Sequence, residues 1–162
     1  YVRNGTSFSV KNGRSIDVVA TVNDGRTLDL FVSDCILDDS AFEEIRAQNI
    51  NSVHICNNWI TGAGWDAGNA AWGIDQLTAA NGIWEVKGNY ISGNRSGGLR
   101  MTGKNSHVTG NFFDVAFAPV ATFGFQLTAT STNIEFPGNM FLGHTVGIND
   151  LGVTNVLGPR LG

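Results

Sequence analysis

Two histidines and two glutamates stand at one fixed position of a recurring sequence pattern. His54, Glu85, His107 and Glu135 each precede an asparagine by four residues. If the pattern repeats in space, they form one outward row, with the two glutamates two repeats apart, about 10 Å. Glycosidases use two carboxyls roughly 5–10 Å apart. We therefore predict Glu85 and Glu135 as catalytic candidates and the histidines as carbohydrate-binding candidates; a solvated surface row is the alternative. A flat row converges poorly on one ion, so no metal site is predicted.

A second set of polar residues lies on the short strand-like segments that come before this row in each repeat. The set comprises Glu44, Gln76, Arg100, Gln126 and Asp150. We predict that Gln76, Arg100 and Gln126 bind carbohydrate, because amides and a guanidinium pair with sugar hydroxyls and carboxylates. The neighbouring Asp75 is a third catalytic candidate, and Arg100 or Lys87 would be the base of a lyase. The same composition also suits a plain polar face of a sheet.

The longest loop, residues 59–73, holds three of the four tryptophans among small residues. Trp59 fits a core position in the repeat, whereas Trp65 lies in a glycine-rich stretch without core periodicity. An exposed indole stacks well on the apolar face of a pyranose. We predict that Trp65, Asp66 and Trp72 bind carbohydrate. Contact between subunits of a trimer and simple packing over the domain are the alternatives.

The elements that would position these residues are short strands separated by Asn/Gly turns. Four copies of one pattern align, and they read VHICNNWITG (53–62), WEVKGNYISG (84–93), SHVTGNFFDV (106–115) and IEFPGNMFLG (134–143). Each contains an asparagine followed by two bulky apolar residues. The four asparagines are Asn58, Asn89, Asn111 and Asn139. Upstream, Cys35 occupies the same position, and the successive spacings are 23, 31, 22 and 28 residues.

A repeat of 22 to 31 residues predicts an all-β parallel solenoid of about five coils, stacked at roughly 4.8 Å. The asparagines would form a side-chain ladder and adopt the left-handed turn conformation, and the bulky pairs would enter the core. A β-sandwich is the alternative fold. Residues 40–49 carry a Ser-x-x-Glu capping box and could form a short helix. Turn signals around residues 11–13 and 23–25 favour a small irregular or antiparallel N-terminal section, residues 1–26, before coils over residues 27–162.

This Gly-Asn turn followed by two apolar residues resembles the right-handed parallel β-helix of the pectate-lyase-like superfamily, most closely its bacteriophage tailspike and tail-fibre modules. The resemblance implies a homotrimer in the virion tail, outside the cell, that contacts other tail proteins and attaches to bacterial surface polysaccharide. Degradation of that glycan is a further expectation. Two alternatives are a stand-alone polysaccharide lyase or glycoside hydrolase and a structural solenoid or trimerisation module without catalysis. Because the chain begins with Tyr1, we expect a fragment of a longer protein.

The charge, the hydropathy and the absence of known motifs argue against several classes of function. The net charge of −4 and scattered basic residues argue against nucleic-acid binding. No apolar run is long enough to insert in a membrane. Cys35 and Cys56 form no metal or disulfide motif, so two buried thiols are expected. No nucleophile elbow, zinc-protease motif or phosphate loop is present, and we predict no cofactor.

Asp66 and Asp75 are an alternative to Glu85 and Glu135 as the two catalytic carboxyls of a glycosidase.

Overall fold

A computed structural model describes residues 2–10, 13–20, 29–65, 68–77, 83–115 and 123–156. All regular elements among these residues are β-strands. In chain order they are β1 (Val2–Arg3), β2 (Thr6–Val10), β3 (Ile16–Val19), β4 (Asp29–Ser33), β5 (Ile36–Ser40), β6 (Ile45–Gln48), β7 (Ser52–Cys56), β8 (Trp59–Thr61), β9 (Trp72–Gln76), β10 (Ile83–Lys87), β11 (Tyr90–Ser92), β12 (Gly97–Met101), β13 (His107–Thr109), β14 (Phe112–Asp114), β15 (Phe123–Leu127), β16 (Met140–Leu142) and β17 (Val146–Asp150).

The strands stack into three parallel sheets, and each coil contributes one strand to each sheet. Sheet A has the order β1-β4-β7-β10-β13, sheet B runs β2-β5-β8-β11-β14-β16, and sheet C runs β3-β6-β9-β12-β15-β17. Coil 1 is therefore β1–β3, coil 2 is β4–β6, coil 3 is β7–β9, coil 4 is β10–β12 and coil 5 is β13–β15. Strands β16 and β17 continue the stack as a sixth, partial coil. The predicted all-β parallel solenoid of about five coils is confirmed.

The first coil is parallel to the rest. Strands β1, β2 and β3 pair in parallel with β4, β5 and β6. No antiparallel pairing joins these described strands, so the antiparallel alternative for the start of the chain is wrong for them. The predicted turn at residues 23–25 and the first two residues of the turn at 11–13 lie outside the described residues.

The segment with the capping box is not a helix. Ile45–Gln48 forms strand β6, and its residues alternate between buried Ile45 and Ala47 and partly exposed Arg46 and Gln48. The period of two places Ile45 and Ala47 in the core, where a helical period would bury only part of this apolar surface. The Ser40 hydroxyl donates to Phe42 O within a bend between two sheets.

From coil 2 onward, each corner between sheets A and B contains a left-handed residue directly before the ladder position. Asp34, Asn57, Gly88, Gly110 and Gly138 all have φ between 56° and 69°. The left-handed turn was predicted at the ladder asparagines themselves, so that placement is wrong by one residue. The turn residue redirects the chain from sheet A to sheet B, and the asparagine that follows it points inward.

Buried asparagines form the predicted ladder at this corner. Asn58 donates through Nδ2 to Asn89 Oδ1 (3.0 Å), Asn89 to Asn111 (2.9 Å), and Asn111 to Asn139 (3.0 Å). Cys35 extends the ladder at its position, because its backbone N–H donates to Asn58 Oδ1 (2.9 Å). The Cys35 side chain is buried as expected, whereas Cys56 is only partly buried.

The first residue of each bulky pair faces outward, and only the second enters the core. Ile60, Ile91 and Phe113 are essentially unexposed, whereas Trp59 is 48% exposed and Tyr90 is half-buried. The expectation that both residues of each pair lie in the core is therefore wrong. The ladder asparagine points inward, so the alternation of a strand sends the next residue out and the second one in.

Candidate functional site

The His/Glu row, which comprises His54, Glu85, His107 and Glu135, lies on the outer face of sheet A. Glu85 is in register with His54 and His107, and His107 bridges to Glu135. His54 Nδ1 lies 3.0 Å from Glu85 Oε2, and His107 Nδ1 lies 3.3 Å from Glu135 Oε2. Phe31 continues the row and stacks on His54 with ring centroids 4.6 Å apart. The row itself is confirmed, and its chemical role stays a prediction.

The row leaves the two glutamates separated by one coil. His107 stands between Glu85 and Glu135, so strand spacing places them about 9.6 Å apart. Each carboxylate is paired with a histidine. This strand spacing is longer than the roughly 5–5.5 Å between the carboxyl groups of a retaining glycosidase and lies at the upper limit for an inverting one.

The polar set on sheet C is only partly in its predicted alignment, since Arg100 and Gln126 are in register with each other whereas Glu44, Gln76 and Asp150 are not in register with them. The structure pairs Arg46 with Asp75, Asp75 with Arg100, and Arg100 with Gln126. Gln76 and Glu44 are buried and do not belong to the outward row, and Asp150 is in register with Leu127. The sequence spacing located Gln76 and Asp150 one position too late, because Asp75 and Asn149 are the residues in register with Arg100 and Gln126. It located Glu44 two positions too early, because Arg46 is the residue in register with Asp75.

Arg100 and Asp75 form a bidentate ion pair. Arg100 Nε and Nη2 donate to the two carboxylate oxygens of Asp75 at 2.7 and 2.6 Å. Asp75 is fully buried, and this burial raises its pKa although the bonds from Arg100 act in the opposite direction. The guanidinium also lies 5.7 Å from the ring centre of Trp72. Arg100 and Asp75 thus satisfy each other.

Gln76 and Trp72 serve packing in this structure. Gln76 Oε1 accepts hydrogen bonds from the backbone of Thr102 (3.1 Å) and Gly103 (2.8 Å). Trp72 is 7% exposed and stacks on Phe123 at 6.4 Å. Neither offers a free surface to a glycan in this arrangement. Asp66 lies outside the described residues.

The structure instead brings two tryptophans and two aspartates together in a groove beside sheet B. This sheet B groove has a volume of about 420 Å³. Its described lining residues are Asp38, Asp39, Trp59, Thr61, Gly62, Trp65 and Gly93. Trp59 and Trp65 are 48% and 39% exposed. A volume of this order is typical of small-molecule sites.

Hydrogen bonds hold both indoles of the groove in place. Trp65 Nε1 donates to Gly93 O at 2.6 Å, and Trp59 Nε1 donates to Thr61 Oγ1 at 3.2 Å. The Thr61 hydroxyl in turn donates to the Asp38 carboxylate. These contacts connect residues from coils 2, 3 and 4. The groove is therefore built by the stacking of coils rather than by one loop.

A glycine at the corner between sheets B and C makes the groove possible. Gly62 has φ +75°, and a Cβ at this position would lie 2.7 Å from Asp39 N and 2.4 Å from Asp39 Oδ1. No side chain fits there. The close approach brings Asp39 of coil 2 to the chain segment that leads from Thr61 to Trp65.

An aromatic column runs from the groove along sheet B. Trp59 and Tyr90 have ring centroids 4.3 Å apart, and Tyr90 and Phe112 stack at 5.5 Å. Stacking covers the faces of Tyr90, so this ring presents mainly an edge. Tyr90 contacts Trp59 on the coil 4 side, and on the coil 2 side the residue in register with Trp59 is Ile36, which is itself exposed.

Sequence reasoning found Trp65 but missed the remainder of this site. It placed Trp59 in the core and did not select Asp38, Asp39 or Thr61. The signal for Trp59 was available: an inward asparagine at position 58 requires an outward residue at 59. No sequence pattern identifies Asp38 and Asp39, because they lie near Trp65 only through the stacking of two coils.

The arrangement can bind a sugar ring without a metal. Indole faces stack on apolar sugar faces, and carboxylate oxygens accept hydrogen bonds from hydroxyls. Across the parts of the chain that the structure describes, no group of three or more His, Cys, Asp or Glu side chains is placed to hold a metal ion. No helix in the same residues has the length and hydrophobicity to span a bilayer.

Comparison with known proteins identifies no relative of this chain. No family model, no curated protein and no solved structure matches the chain. The assignment as a parallel β-solenoid therefore rests on its own strand register.

Proposed function

We propose that this solenoid is a receptor-binding part of a bacteriophage tailspike or tail fibre, and that it attaches to bacterial surface polysaccharide through the sheet B groove. The observation that carries the proposal is the joint lining of one groove by Trp59, Trp65, Asp38 and Asp39. The parallel solenoid, which resembles tailspike modules, supports the phage context. Its partners would be the glycan, further copies of itself in a homotrimer and other virion tail proteins, outside the cell.

The groove suits a sugar ring because hydrogen bonds already hold its two indoles in place. Both indoles are held by hydrogen bonds from their Nε1 groups, so a ligand does not have to order them. Both indoles expose part of their apolar surface in the groove. A sugar ring stacked on Trp59 or Trp65 would cover that surface while its hydroxyls reach Asp38 and Thr61.

Substitution of the two tryptophans tests the proposal. We expect Trp59→Ala and Trp65→Ala each to weaken binding to a capsular or O-antigen polysaccharide by roughly tenfold, since stacking contributes about 0.5–1.5 kcal/mol beyond area burial. Isothermal titration calorimetry against a panel of bacterial surface polysaccharides gives the affinities. Ile83→Ala is the matched control, because Ile83 is 56% exposed but lies on sheet A.

Two results would overturn this assignment. If no polysaccharide binds the parent protein, a structural solenoid or trimerisation module without glycan binding becomes the better assignment. If Ile83→Ala weakens binding as much as the tryptophan variants do, the glycan lies on another face.

Cleavage of the glycan, as by a polysaccharide lyase or glycoside hydrolase, is the second candidate function. The observation in its favour is the alignment of Glu85 and Glu135 in one exposed row, about 9.6 Å apart. An assay for released oligosaccharide tests it. If Glu85→Gln and Glu135→Gln each abolish the release of oligosaccharide, the two glutamates are supported as the catalytic pair. If release persists in both variants, they are not the catalytic pair. Asp75 lies on sheet C, bound to Arg100, and cannot join this pair.

A further inference from the structure

The chain segment that carries Trp65 rests on a bend of the preceding coil. This coil 2 bend, residues 40–44, connects β5 to β6. Gly64, which directly precedes Trp65, donates its backbone N–H to two carbonyls of the bend, Ser40 O at 2.9 Å and Phe42 O at 3.1 Å. The coil 2 bend therefore fixes the backbone next to one of the two indoles of the sheet B groove.

The coil 2 bend is folded around the buried carboxyl group of Glu44. The side chain of Glu44 is fully buried, and its Oε1 accepts a hydrogen bond from Ser40 N at 2.8 Å. The Ser15 hydroxyl of coil 1 donates to its other oxygen. Ser40 thus binds Glu44 through its N–H and Gly64 through its carbonyl, so this one residue connects the carboxyl group to the groove.

The charged groups around Glu44 do not neutralise it. On and beside sheet C, the described arginines are bound to other carboxylates, in the pairs Arg14–Glu43, Arg46–Asp17 and Arg100–Asp75. On β5, Asp39 borders Gly62, and Asp38 acts on Glu44 through space. Burial, with a smaller contribution from Asp38, raises the pKa of Glu44 to about 7.

Ionisation of Glu44 places a negative charge in the interior of the coil 2 bend. Hydrogen bonds from Ser15 and Ser40 stabilise that charge, but no cation of the described residues is bonded to it. A buried charge without a paired cation is costly, and the cost falls if the bend opens and admits water. Opening would move the carbonyls of Ser40 and Phe42 away from Gly64.

We propose that the coil 2 bend is a pH-dependent support of the sheet B groove, which holds Trp65 in place while Glu44 is protonated and releases it when Glu44 loses its proton to solvent. This inference rests on the proposed glycan binding and adds its regulation. Glycan binding and protonation of Glu44 then favour each other, since the coupling between two sites is reciprocal. Polysaccharide should bind more tightly below pH 7 than above it.

The Gly64 N–H reports the state of the bend without any ligand. We expect its protection factor in NMR-detected hydrogen exchange, corrected for the intrinsic pH dependence of exchange, to fall roughly fivefold or more between pH 6 and pH 8. In Glu44→Gln the protection should stay constant, because the amide accepts from Ser40 N and donates to Ser15 without ionising. Ser15→Ala removes a bond that favours the ionised carboxylate, so it should move the change to higher pH.

Binding measurements connect the bend to the groove. Calorimetric titration with bacterial surface polysaccharides at pH 6 and pH 8 should show a loss of affinity of about fivefold in the parent and none in Glu44→Gln. Glu43→Gln is the matched control. It removes the neighbouring carboxylate, which is bound to Arg14, and should therefore keep the pH dependence of the parent.

The outcomes separate this inference from the proposed function. Parallel pH profiles of Gly64 protection in the parent and Glu44→Gln would overturn the inference, and so would a loss of protection that leaves the affinity unchanged. If Glu44→Gln does not fold, a Ser15→Ala profile identical to that of the parent overturns it instead. If no polysaccharide binds at any pH, the proposed function fails, whereas the exchange profiles still decide whether Glu44 controls the bend.

Discussion

At the scale of single residues, the buried amide of Asn89 connects three coils. Its Oδ1 accepts from the backbone N–H (2.9 Å) and the Nδ2 (3.0 Å) of Asn58, and its Nδ2 donates to Ile55 O (2.8 Å) and Asn111 Oδ1 (2.9 Å). Buried polar groups that lose their partner cost the full desolvation energy. One side chain thus satisfies groups that would otherwise be unpaired at the inner corner.

We predict that Asn89→Ala lowers the free energy of unfolding by roughly 3 kcal/mol, because it leaves the Asn58 N–H and the Ile55 carbonyl without this partner. The urea midpoint, followed by circular dichroism, measures the loss. Lys87→Ala, two residues earlier and exposed, is the control and should change the midpoint little. Equal midpoints for the two variants would show that the ladder does not stabilise the fold.

Glu44 gives the protein a pH-dependent stability. Its Oε1 accepts from Ser40 N at 2.8 Å, the Ser15 hydroxyl donates to the other oxygen, and burial raises the pKa of Glu44 from 4.5 to about 7. The folded state therefore holds a proton that the unfolded state has released between these two pH values. Its contribution to stability is present below pH 4.5 and is lost as the pH rises toward 7.

We expect Glu44→Gln to remove this part of the pH dependence. The difference in unfolding free energy between the variant and the parent should change by roughly 3 kcal/mol between pH 4.5 and pH 8, in favour of the variant at the higher pH. Urea unfolding at several pH values measures it, with Asp29→Asn as the control. A parallel pH dependence in parent and variant would contradict a raised pKa at Glu44.

At the scale of elements, sheet C leaves space for aromatic rings that project from sheet B. Gly73, Gly98, Gly124 and Gly147 form a glycine column along sheet C. A Cβ on Gly98 would lie 2.4 Å from Phe113 Cδ1 and 2.7 Å from Gly124 O. Phe113 is fully buried in this space. The two elements are complementary in volume, so neither can change alone.

We predict that Gly98→Ala destabilises the fold by roughly 2–3 kcal/mol through overpacking against Phe113. Gly110→Ala is the matched comparison. Gly110 has φ +62° and no atom within 4 Å of its Cβ position, so only backbone strain of about 1–2 kcal/mol applies. Urea midpoints compare the two. A smaller loss for Gly98→Ala than for Gly110→Ala would mean that sheet C shifts to accommodate the methyl group.

At the scale of the whole molecule, exposed apolar side chains are concentrated at the C-terminal end of the described stack. Met140, Leu142, Leu151 and Val153 are each more than half exposed. Exposed apolar side chains at one end of the stack favour association with another surface. Their position at one end of the stack differs from that of the sheet B groove, so association there would leave the groove accessible to a glycan.

We predict that the protein is a homotrimer that uses this surface. Multi-angle light scattering should give three times the mass of one chain. Val153→Lys is expected to shift the mass toward one chain, because it places a charge in the contact, whereas Ile83→Lys on sheet A should not. A parent protein with the mass of a single chain would contradict the trimer and weaken the proposed tailspike function.

The sequence by itself determined the coil architecture and the register of sheet A. The asparagine spacing locates each coil, because a buried amide ladder tolerates few other residues, and the His/Glu row follows by counting back four positions. Only the tertiary structure decided which side chains face outward at the corners and which of them form the sheet B groove. The strand alternation at the corners turns Trp59 outward and pairs Asp75 with Arg100. The groove forms because Gly62 admits Asp39 from the preceding coil, a contact between residues 23 positions apart in the chain that no local pattern encodes.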